Sequence, residues 1–168
     1  MSEQSRPYPR TTSPDFLNRC RPETAAFYRY WESKRRGRLM PARRDIDPLE
    51  MRDWLPGVSL VEIHRDLDER PSRLIYRLVG TRVTKLRGRE DTGKSVHEAF
   101  FGESLDAALE NYRLVITERK PVYDWDHTPS EDGLAREHET LLLPLSSDGD
   151  TVDMVLVYQE TEHITRSE

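Results

Sequence analysis

Three observations predict an α+β fold built on one five-stranded antiparallel sheet. Two segments, 22–36 and 104–120, carry the helical period. Five short segments are rich in β-branched and other apolar residues. These come as a pair and then a run of three, not in regular alternation with helices, which disfavours a doubly wound parallel sheet. Short helices and one longer helix are expected on one face of the sheet. An N-terminal helical extension is expected at its edges or far face.

The elements follow in chain order. Residues 1–20 are polar and carry Pro7, Pro9 and Pro14, so they read as a flexible N-terminal arm. In "PETAAFYRYWESKRR", Pro22 and Glu23 suit a helix start, and Lys34, Arg35 and Arg36 suit its end. Gly37 can end that helix in a left-handed conformation. Phe27, Tyr30 and Trp31 share an aromatic stripe that must be buried somewhere.

"RLMPARRDIDPLEMRDWLP" (38–56) crowds charges of both signs between prolines. Asp47-Pro48-Leu49-Glu50 has the logic of a capped helix start, with Asp47 accepting from a backbone N–H near Glu50. Arg43 and Arg44 have Asp45 and Asp47 as near ionic partners, so local pairing explains the crowding without chemistry. Residues 21–56 therefore form the helical extension and 57–160 the main domain.

"VSLVEIHR" (58–65) and "SRLIYRLV" (72–79) read as a hairpin joined by a polar turn. "TRVTKLRG" (81–88) reads as a short helix, and "REDTGKSVHEAF" as a loop and a second short helix. The long helix 104–120 places Leu105, Ala108, Leu109, Tyr112, Val115 and Ile116 at helical spacing, with Ser104 as cap. Then come "PVYDWDHT", "REHETLLLPLS", a "SDGD" turn and "TVDMVLVYQ". Residues 161–168 read as a polar tail.

Composition bounds the function. Of 168 residues, 35% are hydrophobic and 34% charged, which describes one domain with a modest core and a heavily charged surface. The net charge of −5, from 26 basic and 31 acidic residues, argues against a nucleic-acid partner. Cys20 is the single cysteine, so no intramolecular disulfide forms and a reducing cytoplasm fits. No segment has the length of a membrane span, and none resembles a signal peptide.

Candidate chemistry is sparse. His64, His97, His127, His138 and His163 show no metal-ligand spacing, although His127 and His138, with Glu137 and Glu139, could meet across a hairpin. Asp124 and Asp126 share a strand face and could do acid–base work. Alternation puts them opposite Tyr123 and Trp125, however, and the aromatic face is expected inward with the acids in solvent. Ser146 and Ser147 read as turn residues. "GREDTGKS" (88–95) matches the text of a P-loop, but it follows a short helix instead of a strand and leads into no long helix.

The order of the elements resembles that of PAS domains. "YRLVGTRV" (76–83), "GRE" (88–90) and "TGKSV" (92–96) resemble their second strand and first helices, and "PVY" (121–123) the start of their third strand. "LLLPLSSDGDTVDMVL" (141–156) resembles their closing hairpin. Trp31, Gly37, Arg38, Pro41, Arg43, Asp45, Asp47, Pro48, Leu55 and Pro56 are similar to a leader that precedes the core in a compact bacterial PAS family, common in alphaproteobacteria.

The resemblance covers about residues 22–160 and implies a PAS-like fold acting in sensing or protein contact, with no defined reaction. It implies a ligand site between the long helix and the sheet. The residues placed there are Tyr76, Tyr112, Ile116, Tyr123, Trp125, Leu143 and Met154. The photoactive flavin class needs a reactive Cys after the second strand, and the haem class a His on the long helix. Cys20 lies far upstream and residues 104–120 contain no His, so both cofactors are disfavoured. A protein partner is expected, with the N-terminal helix available for a homodimer. The alternatives are a small acid–base enzyme on a similar sheet, or a P-loop-type nucleotide binder.

Overall fold

The computed structural model describes residues 10–100, 104–129 and 135–163. Residues 1–9 of the expected arm and 164–168 of the expected tail lie outside them.

Five strands form one sheet: β1 (Val58–Arg65), β2 (Pro71–Val79), β3 (Val122–Pro129), β4 (Ala135–Leu145) and β5 (Met154–His163). The order is β2-β1-β5-β4-β3, with every neighbour antiparallel. The pair and the meander join through β1 and β5, with Val61 opposite Val155. Among the described residues, three α-helices accompany the sheet: α1 (Pro22–Arg35), α2 (Thr81–Arg87) and α3 (Leu105–Glu118).

The sheet is covered on both faces. Val122, Leu142 and Val157 are in register across the strands and turn toward α3. Tyr123, Leu141 and Tyr158 turn the other way, toward α1 and the segment before it. Phe27 packs on Tyr158 at 5.0 Å, and the Trp31 indole N–H donates to the Pro144 carbonyl at 2.9 Å. Phe27 and Trp31 are both buried. The aromatic stripe of α1 is thus spent on its own sheet, and these two rings are not presented to a second copy.

Residues 10–20 do not form a free arm. Thr11 exchanges two backbone hydrogen bonds with Tyr123, which covers the outer edge of β3 there. Phe16, in a short 3-10 turn (Pro14–Asn18), stacks on the Tyr123 ring at 5.0 Å and is buried. Leu17 and Cys20 of the same stretch also pack against the core. At the other end, β5 continues to His163, past the expected start of the tail.

The 38–56 stretch is structural, with partners that differ from those expected. Asp45 pairs with Arg38 at 2.8 Å and accepts from the Ala42 N–H at 2.8 Å. That backbone bond and the guanidinium hold its carboxyl below the usual range against the effect of burial. Arg38 also donates to the carbonyls of Lys34 and Arg35, closing the end of α1. Glu50 pairs with Lys34 at 2.8 Å. Asp47 accepts from Leu49, two residues on, and residues 48–54 form successive turns instead of a regular helix. The joint with the core is tight at Gly57 and Gly80. A methyl on Gly80 would run into the backbone of Leu55 and Pro56, and one on Gly57 into Gln159 and Arg82.

Candidate functional site

Ser104 caps α3 by accepting from the Ala107 N–H at 3.1 Å, and the helix lays Asn111, Tyr112 and Val115 on the sheet. The packing is incomplete: between α3 and the strands lies a cavity of about 100 Å³. Its polar wall comes from seven elements: Ser59 on β1, Tyr76 on β2, Arg87 on α2, Asn111 and Tyr112 on α3, Asp124 on β3, Thr140 on β4 and Gln159 on β5.

Charge is buried here. The Arg87 side chain is 8% exposed and Asp91 is 0% exposed, and they pair at 3.1 Å. Arg87 also donates to the Tyr76 hydroxyl at 3.0 Å. Asp91 takes two further cations, Arg89 at 3.0 Å and Lys94 at 3.4 Å. Burial pushes the Asp91 carboxyl up, but the bonds from Arg87 and Arg89 outweigh it and leave the group below its ordinary value. Burial, and then neighbouring Tyr76, hold the Tyr112 hydroxyl well above the usual tyrosine range.

At the other wall, Asn111 donates to Asp124 at 3.0 Å. Arg10 reaches from the N-terminal segment to the Asn111 side-chain oxygen and the Ala107 carbonyl, and lies 3.6 Å from the Asp124 carboxylate. Beside the cavity, an open groove of about 560 Å³ runs between α3, the start of β2 and the 95–97 turn. Leu74, Leu109 and Ile116 line it, and Val96 and Tyr112 form the wall it shares with the cavity.

The residues expected at a ligand site divide by face. Tyr76 and Tyr112 line the cavity, and Ile116 lines the groove. Tyr123, Trp125, Leu143 and Met154 belong to the opposite face, where the Tyr123 hydroxyl donates to Glu139 at 2.6 Å. The Asp124 side chain, expected in solvent, is 5% exposed and forms part of the cavity wall. The expectation failed because both faces of β3 are covered, so an aromatic face did not identify the single inside. The His127 and Asp126 side chains lie outside the described residues.

Sequence reasoning missed Arg87, Asn111 and Thr140. The i,i+4 spacing of Arg87 and Asp91 was an available signal, but nothing in it announces burial.

The P-loop text folds as something else. The Gly93 N–H donates to the Tyr76 carbonyl, the Lys94 N–H to Asp91 and the Ser95 N–H to Glu98, so these groups are not offered to a phosphate. Among the described residues, no group of His, Cys, Asp and Glu could hold a metal. None of the described helices is long and apolar enough to cross a membrane.

A second buried polar cluster lies under α1. Glu139 on β4 accepts from the Thr24 hydroxyl at 2.6 Å and from the Arg21 N–H at 3.2 Å, besides Tyr123. Cys20 is nearby; burial first, and then the Glu139 charge, push its thiol up to about 11. The thiol is therefore on the far side of the sheet from the cavity.

A lone antiparallel sheet with a helix-roofed, polar-walled cavity and a helical leader is the architecture of a PAS-like α+β domain. The chain belongs to the PAS_5 family, described as a PAS domain, whose profile matches residues 19–158. No curated protein matches it. Among solved structures it is similar to a light-oxygen-voltage domain studied with a flavin analogue, at 11% identity and TM-score 0.48, over 70% of this chain and 84% of that one. It is similar to the Rhodobacter sphaeroides LOV protein at 15% identity and TM-score 0.46, over 71% and 68%. The Drosophila melanogaster Cycle PAS-B domain with bound glycerol matches at 14% identity and TM-score 0.44, over 62% and 98%.

Proposed function

We propose that the protein is a non-catalytic sensory module of bacterial signalling, acting in the cytoplasm through a protein partner. Its signal is a small molecule received in the cavity under α3. The observation that carries this reading is the buried charge at the cavity wall. Removing Arg87 and Asp91 from water costs several kcal/mol per ion, and an apolar core of the same volume is often as stable or more so. A buried guanidinium kept at the wall of a hollow, with Asp91 behind it, is better explained by a ligand than by stability.

Native mass spectrometry of the purified full chain tests the reading and counts subunits. The expected result is an added small-molecule mass that disappears in Ala108→Leu, whose longer side chain fills the cavity. A bare mass for both proteins, before and after incubation with a small-molecule extract of cells, would count against it.

A further inference from the structure

We infer that the cavity takes a small carboxylate anion, a hydroxy- or keto-acid held by Arg87. This rests on the reading of the cavity as the sensory site and goes further by assigning the ligand's chemistry.

Size comes first. A cavity of about 100 Å³ is smaller than the roughly 150 Å³ hollow that accommodates benzene, so the occupant has on the order of six heavy atoms or fewer. The hollow as it stands is smaller than a flavin, a haem or a nucleotide.

Charge comes second. Of Arg87, Arg89 and Lys94, Arg87 is the cation that lines the cavity, and the Asp91 carboxylate paired with it is shared with the half-exposed Arg89 and Lys94, so Asp91 does not fully offset the Arg87 charge. At the other end the Asp124 carboxylate already has Arg10 and Asn111 beside it. A ligand that brings one negative charge offsets the surplus where it lies.

Donor geometry comes third. Among the described residues, Arg87 spends N–H groups on Asp91, Tyr76 and the Ala99 carbonyl, and its Nε–H has no partner. The planar guanidinium is suited to two parallel bonds to a carboxylate. Ser59, Tyr76, Tyr112 and Thr140 add hydroxyls to the same wall. A hydroxyl can both donate and accept, so the wall also suits the hydroxyl or keto oxygen next to the acid group.

The test is isothermal titration calorimetry on the full chain with lactate, pyruvate, propane-1,2-diol, alanine and inorganic phosphate. Lactate or pyruvate should bind, with the neutral diol at least tenfold weaker. Arg87→Lys, which keeps the charge but loses the fork, should weaken the acid at least tenfold. Ala108→Leu should abolish binding while the protein unfolds at an unchanged temperature. If Arg87→Lys does not fold, the comparison of acid with diol and the Ala108→Leu result decide.

Equal binding of lactate and the diol overturns the inference, as does preference for alanine or phosphate. If Ala108→Leu abolishes such binding, the cavity remains the sensory site and only the carboxylate assignment falls. Failure of every probe overturns the assignment too. Combined with a bare native mass, it overturns both readings.

Discussion

Glu139 is a carboxylate at 5% exposure whose partners are all donors from the leader or its own face: the Thr24 hydroxyl, the Arg21 N–H and the Tyr123 hydroxyl. It acts as a cap for α1 delivered from the sheet, since the residue before the helix, Arg21, supplies no side-chain cap. Replacing it by Gln removes the charge and leaves a donor among donors, at an expected cost of about 1–3 kcal/mol by chemical denaturation. The same change should be visible at Cys20. The native thiol titrates near 11, raised from 9.0 by burial and then by Glu139. Because its folded pKa is the higher one, its stabilising contribution is complete below pH 9 and disappears as the pH rises through about 11. In Glu139→Gln the thiolate absorbance should appear at lower pH, since the second cause is gone. An unchanged titration would mean that burial alone sets the value. None of this was legible in the sequence. Glu139 sat in a polar run, "REHET", with nothing to distinguish it from its exposed-looking neighbours.

The helical leader, at the scale of elements, is part of the core. Phe27 and Trp31 complete the far face of the sheet, and truncation of Trp31 to Ala should cost about 3–5 kcal/mol and unfold the domain as one unit. A separate, earlier transition for α1 would refute that view. The joint at Gly80 offers a second test. Its would-be methyl meets backbone atoms of Leu55 and Pro56, which cannot rotate away, so Gly80→Ala should destabilise by about 3 kcal/mol despite adding only one carbon. Leu55-Pro56-Gly57 and the turn at Gly80 are two sides of one contact. The strands and the helices α1, α2 and α3 were legible because each follows from local periodicity, whereas the short helices expected after Asp47 and in "REDTGKSVHEAF" are only turns, too short to hold a helix on their own. β1 begins and ends where the β-branched run does, and α1 ends where Arg36 and Gly37 turn left-handed. Which face each element covers was not legible. Periodicity reports that a stripe is buried, not what buries it, and the seven-element cavity wall is assembled by tertiary contact alone.

Taken whole, the molecule protects both edges of its sheet and links one of them to the cavity. Residues 93–96 bond to the outer side of β2, and Thr11 bonds to the outer side of β3, so neither edge presents an uninterrupted row of free backbone groups. The segment at β3 does more than cover the edge. Phe16 stacks on Tyr123 on the far face, while Arg10 crosses to Asn111, Ala107 and Asp124 on the α3 face. The N-terminal segment therefore touches both sides of the sheet, and its Arg10 binds two residues of the cavity wall, Asn111 and Asp124. Anything that alters Asn111 or Asp124 alters what holds Arg10, and through Thr11 what holds the edge. The link predicts that Arg10→Ala speeds amide hydrogen exchange at Tyr123 and through residues 11–19, leaving the exchange of β1 and β5 unchanged. It also predicts that a ligand bound beneath α3 shifts exchange in the same segment in the native protein and not in Arg10→Ala. An N-terminal segment that exchanges identically in both proteins, with and without ligand, would show that Arg10 is an ornament of the fold and that the signal leaves the cavity by another element.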